Sequence, residues 1–337
     1  MFVTSVTVRV PAKINLQLAV GPLRPDGYHG LVTVFHAVSL FDDVTVATAE
    51  TDTIAVTGEG AGLVPEDGNN LALRAVRALR QAIARRAVDD SGAAGASGAG
   101  GPGPSGIIGA SGTAGTAAGL GGVAVTIVKR IPVAGGMAGG SADAAAALVA
   151  CNELWGTGRS QQELCAIASE VGSDAAFPVL GGTAVGRGRG EQLAPALASP
   201  VEFHWVLAFA DGHLSTPAVF RALDKQRAGQ EVPDPELSTE LMTALRTGNA
   251  EDLGAALSND LQEPAIALFP ALRKTLDAGL EAGALGALVS GSGPTCYFLA
   301  SDETHANHLA TAISGAGVCR AVATATGPAV GASVIAS

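Results

Sequence analysis

Alternation of apolar and polar positions dominates the first fifty residues. Residues 3–10 (VTSVTVRV) place β-branched side chains at every second position, the period of a half-buried strand. Pro11 interrupts that run, and residues 11–21 (PAKINLQLAVG) resume as a second strand. There Lys13 and Asn15 stand two apart and share a face. PLRPDGYHG reads as a turn on its Pro and Asp-Gly signals, and residues 31–40 and 42–49 as two further strands. Asn69-Asn70 opens a helix predicted to run to about residue 87, and residues 123–129 form the next strand. A helix over 161–171, a buried strand in FHWVLAFA and a helix at TPAVFRAL, with Pro217 in its first turn, follow. Further helices are expected over 236–247 and 270–282. GALGALVSGSGPTCYFLAS reads as two strands about a tight SGSGP turn, before a helix from 303 and a last strand near 318–323. This second half alternates in the manner of a two-layer α+β domain.

Composition changes that picture at one place. Over residues 88–122 the chain collapses to Gly, Ala, Ser and Pro, which cannot bury enough apolar surface to offset ordering. The expectation is a flexible surface insertion, dispensable for chemistry. Over all 337 residues 47% are apolar, enough for one large or two medium globular domains. A net charge of -11 disfavours a nucleic-acid surface but not a small phosphorylated ligand. Cys151, Cys165, Cys296 and Cys319 lack metal or redox spacing and read as buried free thiols. With no signal-like N-terminal pattern and no apolar run of bilayer length, a cytoplasmic protein without a membrane partner is expected.

The densest chemistry lies in IPVAGGMAGGSADAAAALV. Gly135, Gly136, Gly139 and Gly140 crowd a short loop, and an alanine-rich helix follows, with Ser141 as its expected N-cap. Inward-pointing N–H groups and a helix start together make a phosphate cradle. The spacing is neither Walker A, since no lysine precedes Ser141, nor the dinucleotide pattern. A plain Gly/Ala-rich turn is the alternative. Asp174, in the glycine-flanked GSDAAFP, is either a turn cap or a functional carboxylate. Only four lysines occur (Lys13, Lys129, Lys225, Lys274), so Lys13 inside an apolar motif carries weight.

PAKIN, the glycine loop and SGSGPT stand in an order that resembles the GHMP kinase superfamily. RPDGYHGLVTVF and GSDAAFP narrow the likeness to the branch acting on a cytidine-diphosphate-linked methylerythritol in non-mevalonate isoprenoid precursor synthesis. The resemblance covers nearly the whole chain outside 88–122. It implies an α+β fold, with a ribosomal-S5-like N-terminal domain (1–198) followed by a ferredoxin-like C-terminal domain (199–337). It also implies transfer of the γ-phosphoryl group of ATP, with Mg²⁺, to the substrate's 2-hydroxyl. On that likeness the triphosphate cradle is Pro132, Val133, Ala134, Gly135, Gly136, Met137, Ala138, Gly139, Gly140, Ser141 and Ala142. Asn70 and Lys129 are expected near the adenine, Asp174 as the catalytic base and Lys13 as the cation beside it. Substrate would be held by Asn15, Tyr28, His29, Thr216, Phe220 and Ser292, the rings of Tyr28 and Phe220 sandwiching the pyrimidine.

Alternatives stay open for several of these. Tyr28 and Phe220 also suit a core, Lys13 a solvated strand end, and Ser292 a plain hairpin turn. GRGRG at 186–190 reads as a tight turn with solvated arginines, and His305 with His308 as a solvated helix face. Ser141 is a candidate Mg²⁺ contact, with no other metal ligand assigned. Many relatives read Ser-Ser-Asn where this chain has Ser-Ala-Asp, and Asp143 adds a charge near the loop. Other members of the superfamily (mevalonate, homoserine or sugar kinases) and a non-catalytic nucleotide binder are the competing readings. The chain is expected as a monomer or homodimer.

Overall fold

A computed structural model describes residues 4–95 and 120–336. Its frame is a long antiparallel pair, β1 (Ser5–Leu23) and β2 (His29–Ala49), joined through the Asp-Gly turn. Each replaces two shorter strands expected from the sequence. Pro11 does not end β1 because it falls where the register slips: Pro11 faces Phe41 while Ala12 faces Val38. A bulge is the position at which a missing N–H costs a ladder least.

β3 (Thr53–Gly58) was not expected and lies parallel to β4 (Gly122–Lys129). Between them α1 (Leu71–Gly95) extends past the predicted end near 87, so the expected insertion begins as helix. Most of the 88–122 segment, residues 96–119, lies outside the described residues. Beyond β4 come α2 (Gly139–Leu154), α3 (Gln161–Val171), α4 (Ala176–Leu180), β5 (Thr183–Gly188) and β6 (Gln192–Pro195). The second half contains β7 (Phe203–Phe209), α5 (Thr216–Gln226), α6 (Thr239–Thr247), α7 (Ala250–Ala256), β8 (Ser258–Asn259) and α8 (Gln262–Leu268). It ends with α9 (Ala271–Glu281), β9 (Gly286–Val289), β10 (Cys296–Ala300), α10 (Glu303–Gly315), β11 (Ala321–Gly327) and β12 (Ser333–Ala336).

Among the described residues these strands make two sheets. The larger has the order β12-β1-β2-β4-β3, with β5 on β2, β6 on β5 and β8 on β1. The smaller, β11-β7-β10-β9, is antiparallel throughout. The last strand, expected near 318–323, is β11, and β12 after it returns to pair with β1. Strands β8 and β12 therefore carry the second half of the chain back onto the first sheet.

α2 runs through the main core, with Ala142, Ala144, Ala145, Ala146, Ala147 and Leu148 all buried. Alanine favours helix and its small side chain lets the helix approach β1 and α1 closely, so no amphipathic stripe is needed. Under the smaller sheet Val206, Phe298, Leu276, Leu309 and Ile313 form a second core. All four cysteines are free, Cys151 and Cys296 buried and the other two half-buried. No helix among the described residues is long and apolar enough to cross a membrane.

Candidate active site

The two sheets meet around a cavity of about 810 Å³. Lys13 and Asn15 enter it from β1, Thr33 from β2, Asp174 from the loop before α4, and Ser292 from the turn between β9 and β10. Period-two geometry does what the sequence suggested: Lys13 Nζ donates to Asn15 Oδ1 at 2.7 Å. It also donates to the Gly136 carbonyl at 3.0 Å. Asp174 Oδ2 lies 3.8 Å from the same nitrogen, an ion pair too long for a hydrogen bond. Of the three ammonium protons two are therefore engaged, leaving the third for the Asp174 side. Asn15 is held in turn, its Nδ2 donating to Thr33 Oγ1 at 2.8 Å while that hydroxyl donates to the Gln17 carbonyl at 2.7 Å.

Burial lowers the Lys13 pKa below its ordinary 10.5, and the Asp174 carboxylate pulls it part of the way back. A cationic role for Lys13 is lost as pH rises through that lowered value. The alkaline limb of kcat/KM is thus expected below pH 10.5. A profile flat up to that pH would show that the Lys13 charge is not required.

The glycine loop lies on top of this cluster, but its geometry differs from expectation at the helix start. The residue preceding α2 is Ala138, in the left-handed region at φ 58°, and no side chain caps the helix. Ser141 is instead inside the first turn. Ala134 also has a positive φ of 53°, and neither alanine could be read as left-handed from the sequence. The N–H groups of Gly139, Gly140 and Ser141 find no partner among the described residues, and all three residues line the cavity. Uncapped first-turn donors at the positive end of a helix dipole suit an anion. Gly135, Gly136 and Ala138 line the same wall. Met137 and Ala142 turn into the core, and Pro132 is buried away from the cavity.

The SGSGP turn closes over the loop. Ser290 Oγ donates to the Gly136 carbonyl at 3.0 Å, and Asn259 Nδ2 in β8 holds the Val289 and Gly291 carbonyls at 2.8 Å each. Ser292 Oγ and Thr216 Oγ1 are 2.8 Å apart, joining that turn to the start of α5.

At the far end His29 stacks on Phe220 with ring centroids 5.3 Å apart. The His29 Nδ1 lies 2.9 Å from the Gly21 carbonyl and Nε2 lies 3.3 Å from Asp224. Tyr28 lines the same cavity as Phe220. Its half-exposed ring is covered by Arg189, the guanidinium carbon 3.7 Å from the ring centroid. Arg189 belongs to the GRGRG run; it is an exposed turn residue, as expected, and it also lines the cavity.

Val133, Asn70 and Lys129 gather around a smaller cavity of about 190 Å³, which shares Leu71, Ala134 and Gly140 with the main one. The polar side-chain atoms of Asn70 and Lys129 are already engaged. Asn70 caps α1, accepting from Ala72 N at 2.8 Å and donating to the Pro65 carbonyl at 2.7 Å. Lys129 is buried between Asp42 at 2.6 Å and Asp143 at 2.7 Å. Asp143 thus lines the smaller cavity beside Ala134 and Gly140 with one carboxylate oxygen held by Lys129. Its Oδ1 has no partner among the described residues. Burial pushes the Asp143 carboxyl up, Lys129 pulls it back and the Asp42 charge pushes it up again, to about 7. Such a carboxyl binds its proton more tightly folded than unfolded. Its contribution is therefore full below pH 3.8 and is lost as pH rises to about 7. Asp143→Asn is expected to gain stability relative to the parent across that window, measured by denaturant unfolding. A difference independent of pH would contradict the assignment.

Thr33, Asp42 and Asp224 went unnoticed in the sequence. For Asp42 a signal existed, an Asp-Asp pair inside a strand-like apolar run. His305 serves the start of α10, where its Nδ1 lies 3.2 Å from Ser301 N, and no group of three metal-ligating side chains occurs among the described residues.

Comparison with known proteins shows the family. The family model described as GHMP kinases N terminal domain matches residues 107–182, and GHMP kinases C terminal matches 241–332. A 4-diphosphocytidyl-2-C-methyl-D-erythritol kinase of Thermobifida fusca is 50% identical, over 98% of this chain and 99% of that one. Its counterpart in Mycolicibacterium smegmatis is 49% identical, over 98% and 92%. A crystal structure of 4-(cytidine 5'-diphospho)-2C-methyl-D-erythritol kinase superposes with a TM-score of 0.68 at 30% identity, covering 95% of this chain and 98% of that one. The chain belongs to the 4-diphosphocytidyl-2-C-methyl-D-erythritol kinase family of the GHMP kinases.

Proposed function

We propose that the protein transfers the γ-phosphoryl group of ATP to the 2-hydroxyl of 4-diphosphocytidyl-2-C-methyl-D-erythritol, releasing the 2-phosphate and ADP. The observation that carries this reading is Lys13 Nζ, 3.8 Å from Asp174 and bonded to the carbonyl of Gly136 in the glycine loop. An acid–base group, a fixed cation and an anion cradle thereby share one wall. Asp174 takes the hydroxyl proton as the oxygen attacks the γ-phosphorus. Lys13 steadies the developing alkoxide, and the first turn of α2 holds the triphosphate. Adenine would adjoin Asn70 and Lys129 in the smaller cavity, by shape rather than through their engaged polar atoms.

The oxygen donors of the cavity wall fit Mg²⁺ brought in with the triphosphate. Among them is the Ser141 hydroxyl, in the first turn of α2. Asp143 is withdrawn from that role by Lys129. Bound there, the ion would neutralise phosphate charge. His29, Phe220 and Tyr28 suit a cytosine at the opposite end, with Thr216 and Ser292 alongside. A cytoplasmic location and a monomeric or dimeric state complete the proposal.

The test is ADP release from ATP with four acceptors in parallel. Turnover is expected with the cytidyl substrate alone. Equal turnover with mevalonate, homoserine or galactose, or none with any acceptor, would overturn the reading.

A further inference from the structure

Tyr297, one of two tyrosines in the chain, is buried in β10 and does not line the cavity. Trp205 of β7 meets its ring edge-on, with centroids 5.5 Å apart. The Tyr297 hydroxyl reaches from the smaller sheet to the larger and donates to the Asn15 carbonyl of β1 at 2.5 Å. That carbonyl stands at a slip in the β1–β2 register. Asn15 faces Phe35 and Gln17 faces Val34, so Leu16 is the extra residue. A bulge breaks the ladder locally and bends its strand, so a buried donor at this carbonyl fixes the course of β1. Burial pushes the Tyr297 phenol pKa up, which keeps the hydroxyl a donor. At the other end of the same β9–β10 hairpin, Ser290 Oγ donates to the Gly136 carbonyl and Thr295 N to the Gly135 carbonyl at 3.3 Å. The acceptors of the Lys13 ammonium are Asn15 Oδ1 and the Gly136 carbonyl. Both belong to residues whose main-chain carbonyls are held by side chains of this one hairpin.

We propose that Tyr297 and Ser290 are positioning residues for phosphoryl transfer, fixing the two acceptors that aim the Lys13 ammonium at the reacting oxygen. This rests on the proposed function, in which Lys13 steadies the developing alkoxide beside Asp174. A lysine head group on a flexible four-carbon stem stabilises a transition state only as well as its direction is fixed beforehand. Small displacements at such a centre carry large losses in rate. The first sheet supplies Lys13 and Asn15, but the second half of the chain holds them in register with the glycine loop. Neither Tyr297 nor Ser290 lines the cavity, so losing either hydroxyl acts on the chemical step and spares binding.

Steady-state kinetics of the full chain as parent, Tyr297→Phe and Ser290→Ala test the assignment across pH. Tyr297→Phe should lower kcat about tenfold or more and leave KM for ATP and for the cytidyl substrate within about threefold. Ser290→Ala removes one hydroxyl only, carries the same expectation, and decides the matter where Tyr297→Phe does not fold. In each variant the alkaline limb of kcat/KM should also move to lower pH, because an ammonium with poorer acceptors is less favoured against burial. Asp174, from the loop before α4, is the charged group facing that ammonium, and the neutral Phe35 ring faces it from β2 at 5.6 Å. A folded variant with kcat within about twofold of the parent would overturn the proposal and leave the Lys13 role standing. A rise in KM at unchanged kcat would overturn it too, assigning the hairpin to binding. An alkaline limb that stays at the parent's pH overturns it whatever the loss in kcat, since that loss would then be one of structure alone. If the parent shows no alkaline limb below pH 10.5, the Lys13 role itself fails and the proposal with it.

Discussion

Asp174→Asn is expected to lower kcat by about a hundredfold or more, with ATP affinity changed by less than about threefold. The amide keeps the shape of the carboxylate and one acceptor oxygen, so the substrate hydroxyl still has a place to dock. It cannot take the proton. A second effect separates loss of chemistry from loss of structure. The Asp174 carboxylate raises the Lys13 pKa against burial. Removing that charge should move the alkaline limb of the residual activity to lower pH. Turnover within about tenfold of the parent, or an alkaline limb that does not move, would contradict the role given to the pair.

Gly136→Ala is expected to cost about 3 kcal/mol or more of stability and nearly all activity in whatever folds. At φ +78° an L side chain is strained, and the added Cβ would overlap the Ser290 carbonyl oxygen and lie 3.0 Å from Gly293 N. These are backbone atoms of the SGSGP turn, which Asn259 fixes at two carbonyls, so they cannot step aside cheaply. The Gly136 carbonyl is the acceptor shared by Lys13 and Ser290. Any shift that relieves the clash therefore moves the cation and the triphosphate wall together. Thermal unfolding and kcat should fall together. A variant with parental stability and turnover would show that loop and turn are not coupled.

Legibility in the sequence divides along physical lines. Period-two spacing put Lys13 beside Asn15, and Asn70 marked the start of α1, because both depend on local geometry. The glycine loop was legible as a tight turn leading into a helix start for the same reason. What sequence could not supply was conformation forced by tertiary contact. Ala138, not Ser141, precedes α2 because the loop is pinned to the SGSGP turn and Lys13, which holds an alanine in the left-handed region. Pro11 reads as a strand end until the partner strand is known to slip opposite it. The ion pairs of Lys129 were not legible because Asp42 and Asp143 are 87 and 14 residues away in the chain. Arg189 read correctly as an exposed turn residue, but its stacking on Tyr28, which comes from a distant turn, was not legible.

The most direct measurement is phosphorus NMR of the reaction of ATP and Mg²⁺ with the cytidyl substrate. The expected result is loss of the γ-phosphate resonance matched one for one by a new phosphomonoester on the 2-hydroxyl. Release of inorganic phosphate with the acceptor unchanged would mean that water, not the hydroxyl at Asp174, receives the phosphoryl group.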